Sequence, residues 1–427
     1  MAADFREWRG RHAEAGRVSS GEGGVKRAPT RLNTPVPGDF AQASPSPHAS
    51  HAARAQPVGM HDESSRGCQW DVVIVGASFA GAACALAARR AGLRVCVLER
   101  KRDPGMRLHT TGIIVREAAE GTHLGRMPPA LWRRVEHVRL YAPNLRSLAL
   151  HSPGDYFLTT DTPNVMRWLA DEMRTAGVGL RLMQSFTDAR RERGGWQVEG
   201  LGRTRWLVGA DGAKSRVAAR AGLGRVRDFL YGVEHEYAGM QLDQSGALHC
   251  FLSRRLAPGY IGWAAQSPVG VQVGLAFRHR AARTGTPDIE GLLRRVGDRL
   301  GLPRRLPPTS VRAGLIPCGG PVAQIAGNGV ILTGDAAGIV SPVTAGGIHS
   351  AWCHGEAVGN AIAAHILQGG PCPMQAAIAA APRFRAKRAL RWLFDHAQMD
   401  WPFNLLINTP PLRWAARQVY FRRRSTW

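Results

Sequence analysis

The chain of 427 residues is 44% hydrophobic and 21% charged, a composition typical of a globular protein and not of a disordered or membrane-spanning one. Its formal net charge of +24 comes from arginines spread through every segment without a recognition motif, so we expect no nucleic-acid partner. The start, MAADFREWRGRHAEAG, carries acids and lacks an apolar core, which argues against a secretory signal. The seven cysteines form neither a CxxC pair nor a group with histidines, so we predict a cytoplasmic protein without a metal site.

Residues 1–66 are rich in Ala, Gly, Ser, Pro and His and show no apolar periodicity. Such a composition cannot bury enough apolar surface to offset the entropy lost on ordering. We therefore predict a flexible extension over residues 1–66. The first apolar run starts at Trp70, and we expect the ordered chain to begin close to it.

The first ordered stretch predicts a strand, DVVIVG, then a helix, FAGAACALAARRAG, and a second strand, RVCVLER. The turn between strand and helix is a GxGxxG fingerprint in which Ser78 replaces the middle glycine. Gly76 makes the tight turn and Gly81 lets helix and strand pack closely, while the Ser78 hydroxyl can donate a hydrogen bond to a phosphate. Glu99 ends the second strand, where a carboxylate binds ribose hydroxyls and favours FAD or NAD over NADP.

Two later stretches repeat the strand–turn–helix pattern. Asp211 lies in the GADG run at 209–212, and Gly334 and Asp335 end the strand GVILTGD. Asp335 suits a ribityl or ribose hydroxyl. The N–H groups of Gly347 and Ile348, at the start of a long helix, can stabilise negative charge on a reduced flavin ring. In this order after the fingerprint, the three stretches favour FAD.

Between these stretches, three runs with a period of two, ALHCFLS, GYIGWAAQSP and GVQVGLAFR, predict an antiparallel sheet. We predict an α/β protein in which a Rossmann-type FAD-binding domain is interleaved, over residues 67–382, with an α+β substrate domain. The substrate sheet is expected at roughly 135–160 and 225–315. Residues 383–427 predict a basic, Trp-rich helical segment that either lies on an anionic bilayer surface or packs on its own domain with a solvated basic face.

Residues from about 70 to 400 resemble the geranylgeranyl reductase family of FAD-dependent oxidoreductases, a branch of the flavoproteins with the para-hydroxybenzoate hydroxylase fold. The runs that carry the resemblance are GLIPCGGPVAQIAGNGVILTGDAAGIVSPVTAGGIHSAWCHGEAVGNAI and APGYIGWAAQSPVGVQVGL. Together with the fingerprint, the resemblance implies a set of cofactor-binding residues: Gly76, Ser78, Gly81, Glu99, Arg100, Thr110, Thr111, Gly112, Asp211, Gly334, Asp335, Gly347 and Ile348.

The chain departs from the family pattern at two places. Archaeal reductases carry a cysteine in a PCGE-like turn near the flavin, whereas this chain reads RLHTTGIIV and places His109 or Thr110 there. An arginine that usually ends the strand before the FDxxL helix falls here on about Thr162. Both departures concern the detailed chemistry and leave the expectation of flavin binding intact.

The resemblance implies an enzyme that reduces carbon–carbon double bonds of an isoprenoid-like or other apolar, lipid substrate, with NAD(P)H or ferredoxin as electron donor. Such a reaction needs an acid to protonate one carbon. His109 is the candidate acid, with a structural histidine as the alternative, and Trp263 is a candidate wall of the substrate pocket. Two alternatives remain: a flavin-dependent monooxygenase of an aromatic or polyketide-like small molecule, and a basic scaffold that has lost its flavin.

Overall fold

The computed structural model describes residues 68–421, except 281–284, 304 and 306. The extension predicted over residues 1–66 lies outside the described residues. Within them the chain passes from a mainly parallel sheet to an antiparallel sheet and back, twice. The predicted α/β class, with a Rossmann-type part interleaved with an antiparallel sheet, is confirmed.

The parallel part forms an eight-stranded sheet whose main path runs in the order β17-β18-β11-β1-β2-β8, with the antiparallel pair β9 and β10 attached to β11. β2 is buried throughout and β1 is buried from Asp71 onward, as the continuous apolar run VVIV predicts. The strands are β1 (Trp70–Val75), β2 (Val95–Glu99), β8 (Gly179–Leu182), β9 (Ala189–Glu192), β10 (Gly195–Val198), β11 (Gly202–Gly209), β17 (Ala326–Gly327) and β18 (Val330–Leu332).

The second sheet has seven strands in the order β16-β12-β15-β14-β13-β5-β6, antiparallel except for the pair β13 and β5. These strands are β5 (His137–Tyr141), β6 (Ser147–His151), β12 (Phe229–Ala238), β13 (Ala247–Leu252), β14 (Ile261–Gln266), β15 (Gly270–Arg278) and β16 (Ser310–Pro317). A three-stranded sheet joins β3 (Ile114–Val115), β7 (Phe157–Thr160) and β4 (Trp132–Val135). The range of 135–160 predicted for the substrate sheet thus also covers β7, which pairs with β3 and β4 instead.

The described helices are α1 (Phe79–Arg90), α2 (Arg116–Gly121), α3 (Thr162–Thr175), α4 (Arg216–Arg220), α5 (Ile289–Leu300), α6 (Ile348–Gln368), α7 (Pro373–Ala380), α8 (Arg385–Ala397), α9 (Trp401–Leu406) and α10 (Pro410–Phe421), with 3₁₀ turns at His123–Arg126, Pro129–Leu131 and Gly334–Ala337. No helix in this part of the chain is long and apolar enough to cross a bilayer.

Two glycines bring α1 and α6 side by side in the same direction. A Cβ on Gly355 would lie 2.3 Å from the Ala80 carbonyl oxygen, and one on Gly359 would lie 2.4 Å from that of Cys84. Because neither distance leaves room for a side chain, the helices pack backbone to backbone. The N-terminal ends of both helices therefore point toward the same edge of the parallel sheet.

The two faces of the seven-stranded sheet differ in character. Leu292, Leu293 and Val296 of α5 pack with Val273 and Leu275 against one face. The opposite face carries the buried polar side chains described below and meets the first turn of α3. This second face brings the antiparallel sheet to the Rossmann-type part.

Candidate functional site

The turn after β1 has no room for side chains at its two outer glycines. Gly76 has φ +104°, and a Cβ there would lie 2.3 Å from the Ala210 carbonyl oxygen. A Cβ on Gly81 would lie 1.9 Å from the Gly76 carbonyl oxygen. Both positions therefore require glycine, as the fingerprint predicts.

Ser78, at the middle position of the fingerprint, is the N-cap residue of α1 and is exposed. Its hydroxyl does not cap the helix and has only a weak contact, 3.9 Å, with the Met166 sulfur. The first turn of α1 also contains no acidic residue. The N–H groups that begin α1 are therefore open to an anion, which the helix dipole favours.

Glu99 reaches back to the fingerprint. Its buried carboxylate accepts hydrogen bonds from the backbone N–H of Ala77 at 3.2 Å and of Lys101 at 2.9 Å. The two bonds hold the carboxylate beside the glycine turn, with lone pairs left for further donors. Arg100, the next residue, is exposed.

Gly334 and Asp335 lie where α1 and α6 begin. Gly334 has φ +59°, and a Cβ there would lie 2.8 Å from the Ala80 Cβ and 3.6 Å from the Ala351 Cβ. The half-buried Asp335 carboxylate accepts no hydrogen bond from any residue that the structure describes. Burial raises the pKa of Asp335 to about 6. A partly desolvated carboxylate without a donor suits a ligand hydroxyl.

The loop from Ser341 to Gly347 leads into α6. Gly347 is the N-cap residue, its position leaves only 3.1 Å between an added Cβ and a Val340 methyl group, and no side chain caps the helix. Ile348 is the first helical residue. The Tyr260 hydroxyl donates to the Thr344 carbonyl oxygen at 2.6 Å, so a residue just before β14 contacts this loop.

Asp211 is engaged within its own turn. Its carboxylate accepts hydrogen bonds from the Ser215 hydroxyl at 2.6 Å and from the backbone N–H groups of Arg216 and Val217 at 2.6 and 3.2 Å. The structure therefore places Asp211 at the start of α4, where it shapes the turn. The preceding residue, Ala210, supplies the carbonyl that closes against Gly76.

The turn from Thr110 to Gly112 is held by two threonine hydroxyls. Gly112 has φ +72°, and an added Cβ would lie 2.1 Å from the Thr162 hydroxyl oxygen and 2.2 Å from that of Thr160. The Thr160 hydroxyl donates to the Gly112 carbonyl at 2.9 Å, and the Thr162 hydroxyl donates to the Thr111 carbonyl at 3.1 Å. Thr162, close to which the family resemblance implies an arginine, thus supports this turn.

His109 precedes the turn and lies next to β16. Its Nδ1 is 2.8 Å from the Ala313 carbonyl oxygen. Since a carbonyl can only accept, Nδ1 carries the proton of this bond, and Nε2 can release a proton only from the imidazolium form. The histidine is exposed and ties the turn to the antiparallel sheet.

A buried charge cluster, which we call the Arg312 cluster (Arg312, Glu234, Glu236), lies beneath this turn. The Arg312 guanidinium contacts the Thr162 hydroxyl at 3.3 Å, the Glu234 carboxylate at 3.1 Å and both Glu236 oxygens at 3.1 and 3.2 Å. Trp263 donates its indole N–H to Glu234 at 2.9 Å. Burial raises the pKa of Glu234 to about 7, although Arg312 lowers it.

Sequence reasoning missed the Arg312 cluster. The signal was present in the run YGVEHEYA, where two acids alternate with other residues along one strand and therefore lie on the same face. The partner Arg312 is 78 residues from Glu234 and reaches it through the pairing of β12 with β16. Trp263, predicted as a pocket wall, is buried on this face with its ring over Gly274.

The arrangement fits a dinucleotide cofactor. Gly76 and Gly81 form a turn without side chains, which we call the cradle. The helices α1 and α6 begin without side-chain caps, and the Asp335 carboxylate, which has no donor among the described residues, lies where both helices begin. An elongated ligand with phosphates and hydroxyls satisfies all three features. The antiparallel sheet meets this site through His109, Tyr260 and the Arg312 cluster.

Comparisons with known proteins agree with this geometry. Residues 74–137 match the model of the NAD(P)-binding Rossmann-like domain. The chain is 30% identical over 324 residues to digeranylgeranylglycerophospholipid reductase 2 of Methanopyrus kandleri, covering 69% of this chain and 77% of that protein.

Two solved structures share the fold. A geranylgeranyl bacteriochlorophyll reductase-like protein of Thermoplasma acidophilum has a TM-score of 0.72 at 17% identity, covering 82% of this chain and 96% of that one. A p-nitrophenol 4-monooxygenase of Pseudomonas putida has a TM-score of 0.64 at 16% identity, covering 84% and 99%. At these identities the two structures establish the fold alone.

Proposed function

Because the chain belongs to the geranylgeranyl reductase family of FAD-dependent oxidoreductases, we propose that it reduces carbon–carbon double bonds of an isoprenoid-like, apolar substrate. The observation that carries this proposal is the agreement between the dinucleotide cradle and a relative whose name specifies a glycerophospholipid with geranylgeranyl chains. Geranylgeranyl chains contain isolated double bonds, and their reduction adds two hydrogens to each.

We assign the cofactor contacts by position. Gly76, Ser78 and Gly81 receive the diphosphate at the start of α1, and Glu99 accepts the ribose hydroxyls. Asp335 accepts a hydroxyl of the ribityl chain. These assignments follow from the open N–H groups of α1 and from the two carboxylates beside it.

The remaining contacts belong to the flavin ring. Gly347 and Ile348 present uncapped N–H groups at the start of α6, where they stabilise negative charge. The turn Thr110–Gly112 would hold the ring, and Gly334 and Asp211 shape the two supporting turns. Arg100 lies exposed beside the ribose-binding Glu99. Bound FAD, when reduced, supplies the hydride for the double bond.

The substrate lies against the face of the seven-stranded sheet that carries Trp263. Gly274 and Gly314 on that face have no side chain, and the Trp263 and His109 rings pack over them. His109 is our candidate for the proton donor, acting from its imidazolium form through Nε2. Its Nδ1 bond to Ala313 holds the ring in one orientation.

Product analysis tests this proposal and separates it from a monooxygenase. Purified protein is incubated with a geranylgeranyl glycerolipid and a reductant, with and without oxygen, and the lipid is analysed by mass spectrometry. We expect two added hydrogens per double bond in both atmospheres. An oxygen atom incorporated only under air would establish the monooxygenase alternative.

We propose NAD(P)H or ferredoxin as the electron donor. Apart from the fingerprint at 76–81, the sequence contains no GxGxxG run for a tightly held nicotinamide. Either donor has to dock transiently. Anaerobic mixing of the yellow protein with NADH, NADPH or reduced ferredoxin identifies the donor as the one that bleaches the flavin.

We further propose that the C-terminal arm, residues 383–421 with helices α8–α10, contacts an anionic lipid surface. Its exposed side chains include three tryptophans, Trp392 (64% exposed), Trp401 (60%) and Trp414 (66%), together with exposed leucines. Five arginines of the same segment are exposed: Arg383, Arg385, Arg388, Arg413 and Arg417.

The acids of the arm are turned toward the protein. Asp395 pairs with Arg391 at 2.7 Å and with Arg278 at 3.3 Å, and Asp400 accepts from the backbone N–H of Arg254. The outward charge is therefore positive. Indole rings interleaved with arginines suit an anionic bilayer surface, which also holds the lipid substrate.

Vesicle flotation tests the arm. We expect binding to phosphatidylglycerol vesicles that falls with added salt, and weak binding to phosphatidylcholine vesicles. The triple change Trp392→Ser, Trp401→Ser and Trp414→Ser should reduce binding by about tenfold or more. Met183→Ser, which removes a 69% exposed side chain outside the arm, is the control and should bind as the unchanged chain does. Equal binding by the triple variant would refute the membrane role.

A further inference from the structure

The Arg312 cluster holds two carboxylates against one guanidinium inside the protein. Arg312 is 7% exposed, Glu234 3% and Glu236 7%, so all three groups are removed from water. With both acids ionised, the cluster carries one uncompensated negative charge, which is costly in a buried environment. One added proton makes the cluster neutral.

Glu234 is the acid that takes the proton. Glu236 receives two guanidinium hydrogen bonds, at 3.1 and 3.2 Å, whereas Glu234 receives one from Arg312 and one from the neutral Trp263 indole. Burial raises the pKa of Glu234 to about 7, the nearby Glu236 charge also raises it, and Arg312 lowers it. The proton is therefore exchanged near neutral pH.

The cluster is connected to the turn at 110–112 by two hydrogen bonds. Arg312 donates to the Thr162 hydroxyl at 3.3 Å, and that hydroxyl donates to the Thr111 carbonyl at 3.1 Å. A change in the charge or position of Arg312 therefore alters the hydrogen bonds of the Thr162 hydroxyl, which supports the turn. The Thr162 hydroxyl does not cap α3, because the Asp161 side chain does so.

We propose that Glu234 is a buried protonation site linked to the flavin site through Arg312 and Thr162, and that binding of FAD is accompanied by proton retention at Glu234. The inference rests on the proposed placement of the turn Thr110–Gly112 beside the flavin. Glu234 acts through Arg312 and is a positioning residue. Loss of its proton leaves a net negative charge under the turn, which opposes the anionic cofactor.

Other titratable groups near Glu234 are few among the described residues. Arg312 faces it from β16 and Glu236 from its own strand, while β15 and β14 contribute the uncharged Gln272 and Trp263. His109 lies beside β16 through its bond to Ala313, and Asp335, whose pKa burial raises to about 6, belongs to the cofactor site. The experiment must therefore separate Glu234 from both His109 and Asp335, and E234Q does so because it leaves those two groups unchanged.

FAD release on dilution of the holoenzyme, followed by the fluorescence of free flavin, measures the affinity at about pH 6 and about pH 8. Because the Glu234 proton is lost as the pH rises through about 7, we expect the unchanged protein to bind FAD about three- to tenfold more weakly at the higher pH. E234Q, an isosteric mimic of the protonated acid, should bind equally at both pH values. H109Q should keep the pH dependence of the unchanged protein. A pH dependence that persists in E234Q, or that disappears in H109Q, overturns the proposal.

Infrared spectroscopy provides a second readout that does not depend on E234Q folding. The holoenzyme should show a protonated-carboxyl band that titrates near neutral pH and shifts in D₂O. E236Q should move this titration to lower pH, because it removes the charge that raises the pKa of Glu234. T162V should retain the band and bind FAD more weakly at both pH values. Absence of the band overturns the proposal even if every variant is unstable.

FAD binding by Glu99→Ala and T162V distinguishes an error in the Glu234 linkage from an error in the cofactor site. If Glu99→Ala loses FAD while the pH dependence is absent, the Glu234 linkage is wrong and the cofactor site stands. If neither Glu99→Ala nor T162V affects FAD, the assignment of the cofactor site is itself wrong.

Discussion

The cradle at the start of α1 and the Arg312 cluster on the antiparallel sheet are built by opposite means. The cradle depends on the absence of side chains, since a Cβ at Gly76 or Gly81 would meet backbone oxygens at 2.3 or 1.9 Å. The cluster depends on buried charged side chains brought together by strand pairing. The glycine turn presents mainly backbone groups to a ligand, whereas the cluster supports the turn at 110–112 through Thr162.

This difference decides which substitutions change ligand binding alone and which also change the stability of the fold. A cradle of glycines loses both its fold and its ligand when a side chain is added. An exposed position in the same turn, such as Ser78, affects only the ligand. In the Arg312 cluster every residue is buried, so each change is expected to alter stability and to reach the ligand indirectly.

The largest effect is expected in the cradle. Gly81→Val places side-chain atoms onto the Gly76 carbonyl and should abolish both FAD binding and cooperative unfolding of the native protein. Ser78→Leu is the matched comparison, because residue 78 is exposed and the longer side chain should release FAD while leaving the urea unfolding midpoint of the apoprotein unchanged. The absorption spectrum after gel filtration reports the flavin. FAD retained in both variants would break the distinction between the two positions.

The next effect concerns the cluster. Arg312→Met leaves Glu234 and Glu236 without their counter-charge and should lower the free energy of unfolding by about 3–5 kcal/mol. Arg134→Met is the control, since Arg134 pairs with Glu136 on the surface and should cost less than about 1 kcal/mol. Urea unfolding of the two variants measures both values. Equal stability would mean that the cluster does not hold the sheet.

A smaller effect is expected at Glu99. Glu99→Ala removes a buried acceptor for a ribose hydroxyl, and such charged hydrogen bonds contribute about 1.5–3 kcal/mol each. The affinity for FAD should therefore fall by roughly ten- to a hundredfold. Glu117→Ala, an acidic position on α2, serves as the control, and FAD affinity is measured by dilution of the holoenzyme. An unchanged affinity in Glu99→Ala would remove the ribose contact from the site.

Most predictions from the sequence rest on the spacing and composition of short segments. The strand–turn–helix at 70–99 and the long helix at 348–368 follow from spacing and composition over short segments, and both are present. The family resemblance predicts the turn at 110–112, but its supports are Thr160 at the end of β7 and Thr162 at the start of α3, about 50 residues away. No local pattern links the two.

The Arg312 cluster was not predicted because its charged residues are far apart in the sequence. Arg312 and Glu234 meet because β12 and β16 pair in an antiparallel register that no short window contains. Asp211 illustrates a related difficulty. Its position after a strand suggests a ligand contact, whereas its carboxylate is already engaged by Ser215, Arg216 and Val217. Residue type and spacing alone do not distinguish these two roles.

The most direct test of the central claim is anaerobic reoxidation of the reduced flavin by substrate. The purified yellow protein is reduced with dithionite without oxygen, and a geranylgeranyl glycerolipid is added while the flavin absorbance is followed. We predict that the absorbance of oxidised flavin returns at a rate that depends on lipid concentration, and that the recovered lipid has gained two hydrogens per reduced bond. A flavin that stays bleached until oxygen enters would contradict the account.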